Sequence, residues 1–456
     1  MNFKTYYNSY IWGIIVAYCL SLTSILNAER DLAAVVRDRA QALLNFLYDE
    51  TIGVQQEAFL PDVQEKDDLG RIWVYTQGIA LHQAARLGSP EAHKIADWLY
   101  DNAVFIHFEG REYFGGWHFS QNTYRDAFKD PRLITGASMW AMLGMVKYLT
   151  APIFKERSEK EQAQLRAFYA RGLKDLLDTQ QREDGLFGAG WTRDLLKENQ
   201  GTDAYYPTLE FLGYPAGLES ARVVRAPNVV MEHNVDALAV LNDSIKHADK
   251  LSLQPDREAI ISKRDLLRRA IFTQLYDSEN QRFVTGLESD HFTPSPFTAL
   301  DNAAWLMLAV NFEELTDVQK EQLARSLSYT IEKFVKEIDY KEDTYYGGHY
   351  FTNDFYDPYV AQSDLQEKTY HTEATLSLIE ALYEFTRQYP QHHYTEKFQK
   401  VAQRLWDNCI QFITKHGFRY ATQEINNLTG TFESATAAIW YIDVYDFLKS
   451  HGSLDS

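Results

Sequence analysis

Two carboxylates one helical turn apart, Glu232 and Asp236, lie in the segment Met231-Glu232-His233-Asn234-Val235-Asp236, which opens an apolar run. Residues four apart share a helix face, and on a helix apolar all round that face is not a solvated surface. Burying two carboxyl groups together is costly unless the site uses them. Leu300-Asp301-Asn302, His371-Thr372-Glu373 and Phe432-Glu433-Ser434 open three further runs of the same kind. Capping and the helix dipole favour an acid in any first turn, and that explanation suffices for Glu433. Glycoside hydrolysis uses such carboxyl groups in pairs: one protonates the departing oxygen, and a second activates water or attacks the anomeric carbon. Crowding and desolvation raise one carboxyl pKa and split the pair into an acid and a base. Glu232 is the expected acid, with Asp236 its neighbour. Asp301 or Glu373 is the expected base, and the sequence does not choose between them.

Aromatic residues make up 14% of the chain, and many fall between the periodic segments. Trp117, Trp191, Tyr205, Tyr206, Tyr345, Tyr346 and Tyr350 offer flat faces to sugar rings, with packing of the loops on one another as the alternative use. The glycine pairs at 115–116 and 347–348 are expected to make turns. His118, His233, His349 and His371 form no HxxxH or HExxH pair on a helix, so no metal is expected. Asp184-Gly185-Leu186-Phe187-Gly188 reads as a turn and lacks calcium-loop spacing. No P-loop, dinucleotide fingerprint or GxSxG elbow occurs. A different enzymatic use of the same segments is sugar epimerisation, with His233 and His371 as its acid and base.

The elements that must position these groups are helices. Apolar residues recur at helical spacing, with little sustained period-two alternation. Twelve helices are expected, over 30–50, 71–87, 90–104, 133–150, 158–180, 230–250, 256–276, 299–312, 316–337, 370–388, 394–415 and 433–449. Long connections follow the odd-numbered helices and short ones the even-numbered, as in Leu87-Gly88-Ser89-Pro90. Short links make antiparallel neighbours, so every long connection falls at one end of the molecule. The even helices are apolar nearly all round and rich in small residues, for example Thr135 to Gly144 and Asp301 to Ala309. The odd ones are amphipathic, for example Ser158 to Gln180. Helices apolar all round are buried, and amphipathic ones face water. An inner ring of six within an outer ring of six follows: an all-α (α/α)6 toroid, with the acidic segments gathered at the N-terminal ends of the inner helices. The one internal echo is Tyr113-Phe114-Gly115-Gly116-Trp117-His118-Phe119 against Tyr345-Tyr346-Gly347-Gly348-His349-Tyr350-Phe351.

A formal charge of −19 argues against nucleic acid or an anionic membrane surface as a partner. Residues 1–28 have the layout of a secretory signal: Lys4, an apolar stretch from Ile11 to Leu26, and the small residue Ala28 before Glu29-Arg30-Asp31. The expected mature unit is a single domain over 29–456, periplasmic or secreted, with membrane attachment only if the segment stays uncleaved. Cys19 lies in that segment, which leaves Cys409 alone in the mature chain and excludes an internal disulfide. The ordinary polar faces of the odd helices lead us to expect a monomer.

The motifs resemble the six-hairpin glycosidase superfamily, particularly a bacterial group whose sixth helix carries Glu-His-Asn-(aliphatic)-Asp, here Glu232-His233-Asn234-Val235-Asp236. Arg71-Ile72-Trp73-Val74-Tyr75-Thr76-Gln77, Leu300-Asp301-Asn302-Ala303-Ala304-Trp305 and Thr372-Glu373-Ala374-Thr375 keep the expected order. The resemblance implies a carbohydrate-active (α/α)6 barrel with no organic cofactor. Together with the loop aromatics, this gives Tyr75, Gln77, Trp117, Trp191, His233, Asn234, Tyr345, Tyr346 and His371 as the candidate substrate-binding residues. Thr76 stands where the pattern has Asp, and Ala374 where it has Gly. The reading is a glycoside hydrolase of poly- or oligosaccharides, with a degenerate carbohydrate-binding protein as the alternative.

Overall fold

The computed structural model describes residues 33–42, 44–45, 48–49, 54–55, 58–59, 71–118, 120–122, 133–193, 223–226, 228–287, 293–295, 298–340, 343–348, 371–416 and 433–452. Among these are twelve α-helices: α1 (33–42), α2 (Val74–Leu87), α3 (Glu91–Asp101), α4 (Thr135–Thr150), α5 (Glu159–Gln180), α6 (Met231–Lys246), α7 (Arg257–Gln274), α8 (Asp301–Ala309), α9 (Asp317–Phe334), α10 (Thr372–Gln388), α11 (Thr395–His416) and α12 (Ala435–Ser450). Each falls inside the span expected from periodicity, give or take a residue at its end.

The even helices form a closed ring in which α2 packs on α4, α4 on α6, α6 on α8, α8 on α10, α10 on α12 and α12 back on α2. From α2 onward, each inner helix before α12 packs against the outer helix that follows it. The chain ends meet where the Tyr441 hydroxyl of α12 donates to the Ala33 carbonyl of α1 at 3.3 Å. The chain has the (α/α)6 toroid fold.

Small residues set the tightest crossing of the inner ring. A Cβ added at Gly78 on α2 would lie 2.3 Å from the Trp140 carbonyl, and one at Gly144 on α4 would lie 2.4 Å from the Gly78 carbonyl. The two backbones therefore touch directly, which any side chain would prevent. The outer helices show the opposite chemistry. α5 and α9 start with capping boxes, Ser158 with Glu161 and Thr316 with Gln319, that satisfy first-turn N–H groups in water.

The long connections carry short antiparallel ladders that the helical periodicity did not announce. Val104–Phe108 pairs with Arg111–Gly116, Gly190–Arg193 with Val223–Ala226, and Val335–Tyr340 with Asp343–Gly348. The first four residues of the internal echo, 113–116 and 345–348, thus end the second strand of a hairpin following α3 and again following α9. This corrects the expectation that the glycine pairs make turns, because both pairs end strands. A Cβ at Gly116 would meet the Ser138 hydroxyl at 2.3 Å, and one at Gly348 would meet Leu300 at 2.5 Å. The glycines let strand ends lie flat against the inner helices. No helix among the described residues is long and apolar enough to cross a membrane.

Candidate active site

The long connections enter the inner ring at the N-terminal ends of its helices, and four carboxyl groups meet there. Glu232 and Asp236 come from α6, Asp301 from the first residue of α8 and Glu373 from the second residue of α10. Asp236, Asp301 and Glu373 are 4%, 4% and 3% exposed. Glu232 lies deep among protein atoms but keeps a partial opening to solvent, one turn nearer the mouth than Asp236.

Burial pushes the Glu232 carboxyl up to about 8, and the negative charges of Asp301 and Glu373 add to the rise. Burial raises Asp236 too, reinforced by Glu232, Asp301 and Glu373, while the Trp140 indole pulls weakly the other way. Among the described residues, no cation acts on either one. Glu373 is arranged differently: both the Tyr75 hydroxyl and the Trp440 indole N–H (3.2 Å) donate to its Oε1. Two donors at one oxygen suit an acceptor-only carboxylate.

Both histidines of the region are neutral at physiological pH, because burial lowers His233 to about 4 and His371 to about 3. His371 caps its own helix, its Nδ1 accepting from the Ala374 N–H at 3.3 Å. His233 lies against Gly136 of α4, where an added Cβ would come within 2.3 Å of its Cδ2.

Several candidate binding residues have other work. Asn234 is fully buried and clips the connection after α5 to α6: its Oδ1 accepts from the Phe187 N–H at 2.7 Å, and its Nδ2 donates to the Val230 carbonyl at 2.7 Å. Trp117 is fully buried, donates to the Leu99 carbonyl at 2.6 Å and packs edge-on against Phe114 and Phe168. Trp191 packs with Ile106, Leu133 and Phe108 in a small satellite core under the first hairpin. The Tyr346 ring lies 3.8 Å from the Arg404 guanidinium, on the side of α11. The described contacts of these four fasten connections and hairpins to the helices. Tyr75 does join the carboxylates, through Glu373. Gln77 is buried on α2, with its amide 3.4 Å from the Trp73 carbonyl. Tyr345 lies in a strand opposite Ile338, and Glu433 pairs with Phe59 just before α12. Tyr205, Tyr206, His349 and Tyr350 fall outside the described residues.

Three inner-ring tryptophans at the same depth were not foreseen. Trp140, Trp305 and Trp440 form a triangle with ring centroids 6.1, 6.4 and 6.5 Å apart, and Tyr75 meets Trp140 edge-on at 5.2 Å. Each tryptophan stands four or five residues past the start of its helix, a recurrence visible in the sequence. On helices apolar all round it reads as core.

No sequence-family model matches this chain, and no curated protein matches it by sequence. Solved structures do match in shape. A cellobiose 2-epimerase from Bacillus thermoamylovorans superposes with a TM-score of 0.59 at 11% identity, over 91% of this chain and 100% of the epimerase. A family 76 glycoside hydrolase (mannosidase) from Bacteroides thetaiotaomicron gives 0.52 at 10% identity, over 92% of this chain and all of its own. The likeness is one of fold, the (α/α)6 toroid. A D-mannose isomerase shares it as well, with a TM-score of 0.57 at 11% identity over 92% of this chain and 97% of the isomerase. The (α/α)6 toroid thus serves an epimerase, an isomerase and a glycoside hydrolase among these structures, and fold alone does not discriminate between such activities.

Proposed function

We propose that the chain is a glycoside hydrolase of poly- or oligosaccharides, working by carboxyl acid and base catalysis. The observation that carries this reading is the buried meeting of Glu232, Asp236, Asp301 and Glu373, with no cation from the described residues acting on Glu232, where burial and the neighbouring charges push Glu232 up to about 8. An acid catalyst needs a proton to give, and a pKa near the working pH serves that best. Glu232 protonates the departing glycosidic oxygen as the anomeric C–O bond breaks. A water oxygen bonds to the anomeric carbon, and its proton passes to Glu373, the carboxylate to which Tyr75 and Trp440 donate. Asp301, which with Glu373 raises Glu232, keeps the acid charged with its proton.

The fold likeness to cellobiose 2-epimerase supports a second reading, epimerisation through His233 and His371. It is the weaker one because the His371 Nδ1 is already engaged at its helix cap. Replacing both histidines by Asn would abolish an epimerase and leave a carboxyl-based hydrolase with measurable turnover. Export to the periplasm or beyond rests on residues 1–28, outside the described residues, and mass spectrometry of the mature N-terminus tests it.

The test of the main reading is a screen of residues 29–456 against bacterial and plant glycans for new reducing ends. Release from one glycan by the unmodified protein, lost in Glu232→Gln, is the expected result. Equal release by the variant refutes the assignment. Saturable glycan binding without product would instead identify the degenerate binding protein.

A further inference from the structure

The rings of Tyr75 and Trp440 are both packed: Tyr75 meets Trp140 edge-on at 5.2 Å, and Trp440 lies 6.5 Å from Trp305 and 11° from parallel. Phenylalanine serves such contacts equally well. What the phenol and the indole add is one donor each, and both donors are spent on the same atom. The Tyr75 hydroxyl and the Trp440 N–H converge on Oε1 of Glu373. Tyr75 is the second residue of α2, Trp440 lies on α12 and Glu373 on α10. The carboxyl group is therefore clamped where the last inner helix packs back on the first. Glu373 is only 3% exposed, and burial by itself disfavours a charged carboxylate. Hydrogen bonds to the charged form oppose that effect, and bonds to an ionised acceptor are about twice as strong as neutral ones. Glu232 has no such help: burial and neighbouring charges act on it alone, and it rises to about 8. With two donors already on Oε1, a proton arriving at Glu373 goes to Oε2.

We propose that Tyr75 and Trp440 are positioning residues that hold Glu373 ionised and reserve its Oε2 for the proton of the attacking water. The inference rests on the glycosidase reading of the same cleft and deepens it. It names the groups that make one buried carboxyl the base while another keeps its proton. As the water oxygen bonds to the anomeric carbon, a water O–H bond breaks and its proton joins Oε2 of Glu373. The departing oxygen takes the proton of Glu232 as the glycosidic bond breaks. Tyr75 and Trp440 neither gain nor lose a proton in this step.

The experiment reads the charge of Glu373 with or without turnover. Infrared difference spectra between the unmodified protein and Glu373→Gln, taken across pH, isolate the Glu373 carboxylate band. The same difference is recorded in Tyr75→Phe and Trp440→Phe backgrounds. The result expected is that the midpoint of this band rises by about one pH unit in Tyr75→Phe, the loss of one charge-assisted hydrogen bond. It moves the same way in Trp440→Phe. A fluorinated tyrosine at position 75, a stronger donor of nearly the same shape, moves it down. The acid limb of kcat/KM on the cleaved glycan follows the midpoint. Above that limb the variants regain the unmodified rate to within a few-fold, which a merely structural defect would not allow. A midpoint that stays in place in all three variants overturns the proposal and leaves the hydrolase reading standing. So does a loss of rate that is the same at every pH. If the midpoint moves as expected but the unmodified protein cleaves nothing, Tyr75 and Trp440 keep their hold on Glu373 and the hydrolase reading falls.

Discussion

The two ends of the inner ring handle buried acids in opposite ways. At the mouth, no cation among the described residues acts on Glu232 or Asp236, and burial with the neighbouring carboxyl charges raises both. Toward the C-terminal ends, acids meet cations: Arg86 of α2 reaches Asp443 at 3.0 Å and Asp446 at 2.8 Å on α12, and Lys147 of α4 reaches Asp243 of α6 at 2.7 Å. Burial still raises Glu380 to about 8 and Asp443 to about 6 there, but Arg86 opposes both shifts. The same two cations, after burial, depress His82 to about 3. One end thus joins neighbouring helices by charge pairing, whereas the other concentrates like charge without relief. An arrangement that offers a fold nothing is kept where chemistry needs it.

The sharpest way to break this contrast is Glu232→Gln, which keeps shape and removes the proton. We expect kcat on the cleaved glycan to fall by about two to four orders of magnitude, with thermal unfolding unchanged or raised. Gly144→Leu attacks the frame instead. Its side chain would have to enter the Gly78 backbone, so a loss of about 3 kcal/mol or more is expected in denaturant unfolding.

The contrast was partly legible before the structure. Glu232 and Asp236 stood out because two acids one turn apart on an apolar helix have no surface to face. Asp301 and Glu373 stood out less, since any helix start tolerates an acid, and only closure of the ring sets them against Glu232. Trp140, Trp305 and Trp440 were illegible as site residues because a tryptophan on a buried helix looks like packing. Their place beside the carboxyl groups, with the Trp440 indole N–H donating to Glu373, is a fact of three dimensions. Trp117 and Trp191 erred the other way. Aromatics in a connection look available, but their connections fold into hairpins with small cores that consume them. The far-end cluster of Arg86, Glu380 and Asp443 is split over three helices, and no local spacing brings it together.

Smaller effects sharpen the comparison. Because Glu232 must be protonated to act, kcat/KM should decline as pH rises through about 8, and that limb should move if Asp301→Asn removes a neighbouring charge. Glu380 has a folded pKa near 8 against an ordinary value of 4.5. Its contribution to stability is therefore full below about 4.5 and is lost as pH climbs through 8. Glu380→Gln should flatten the fall of Tm between those limits. Arg86→Ala removes ion pairs whose side chains are 35%, 24% and 26% exposed. We expect it to cost only about 1 kcal/mol and to leave kcat untouched, in contrast to every change at the mouth.

The most direct test is to observe the proton on Glu232. Infrared difference spectra between the unmodified protein and Glu232→Gln, taken across pH, isolate the stretch of a protonated carboxyl group. A band present at pH 7 that disappears with a midpoint near 8 is the result the buried carboxyl cluster predicts. A Glu232 carboxyl already ionised at pH 6 would contradict it, and the case for acid catalysis at this site would fall with it.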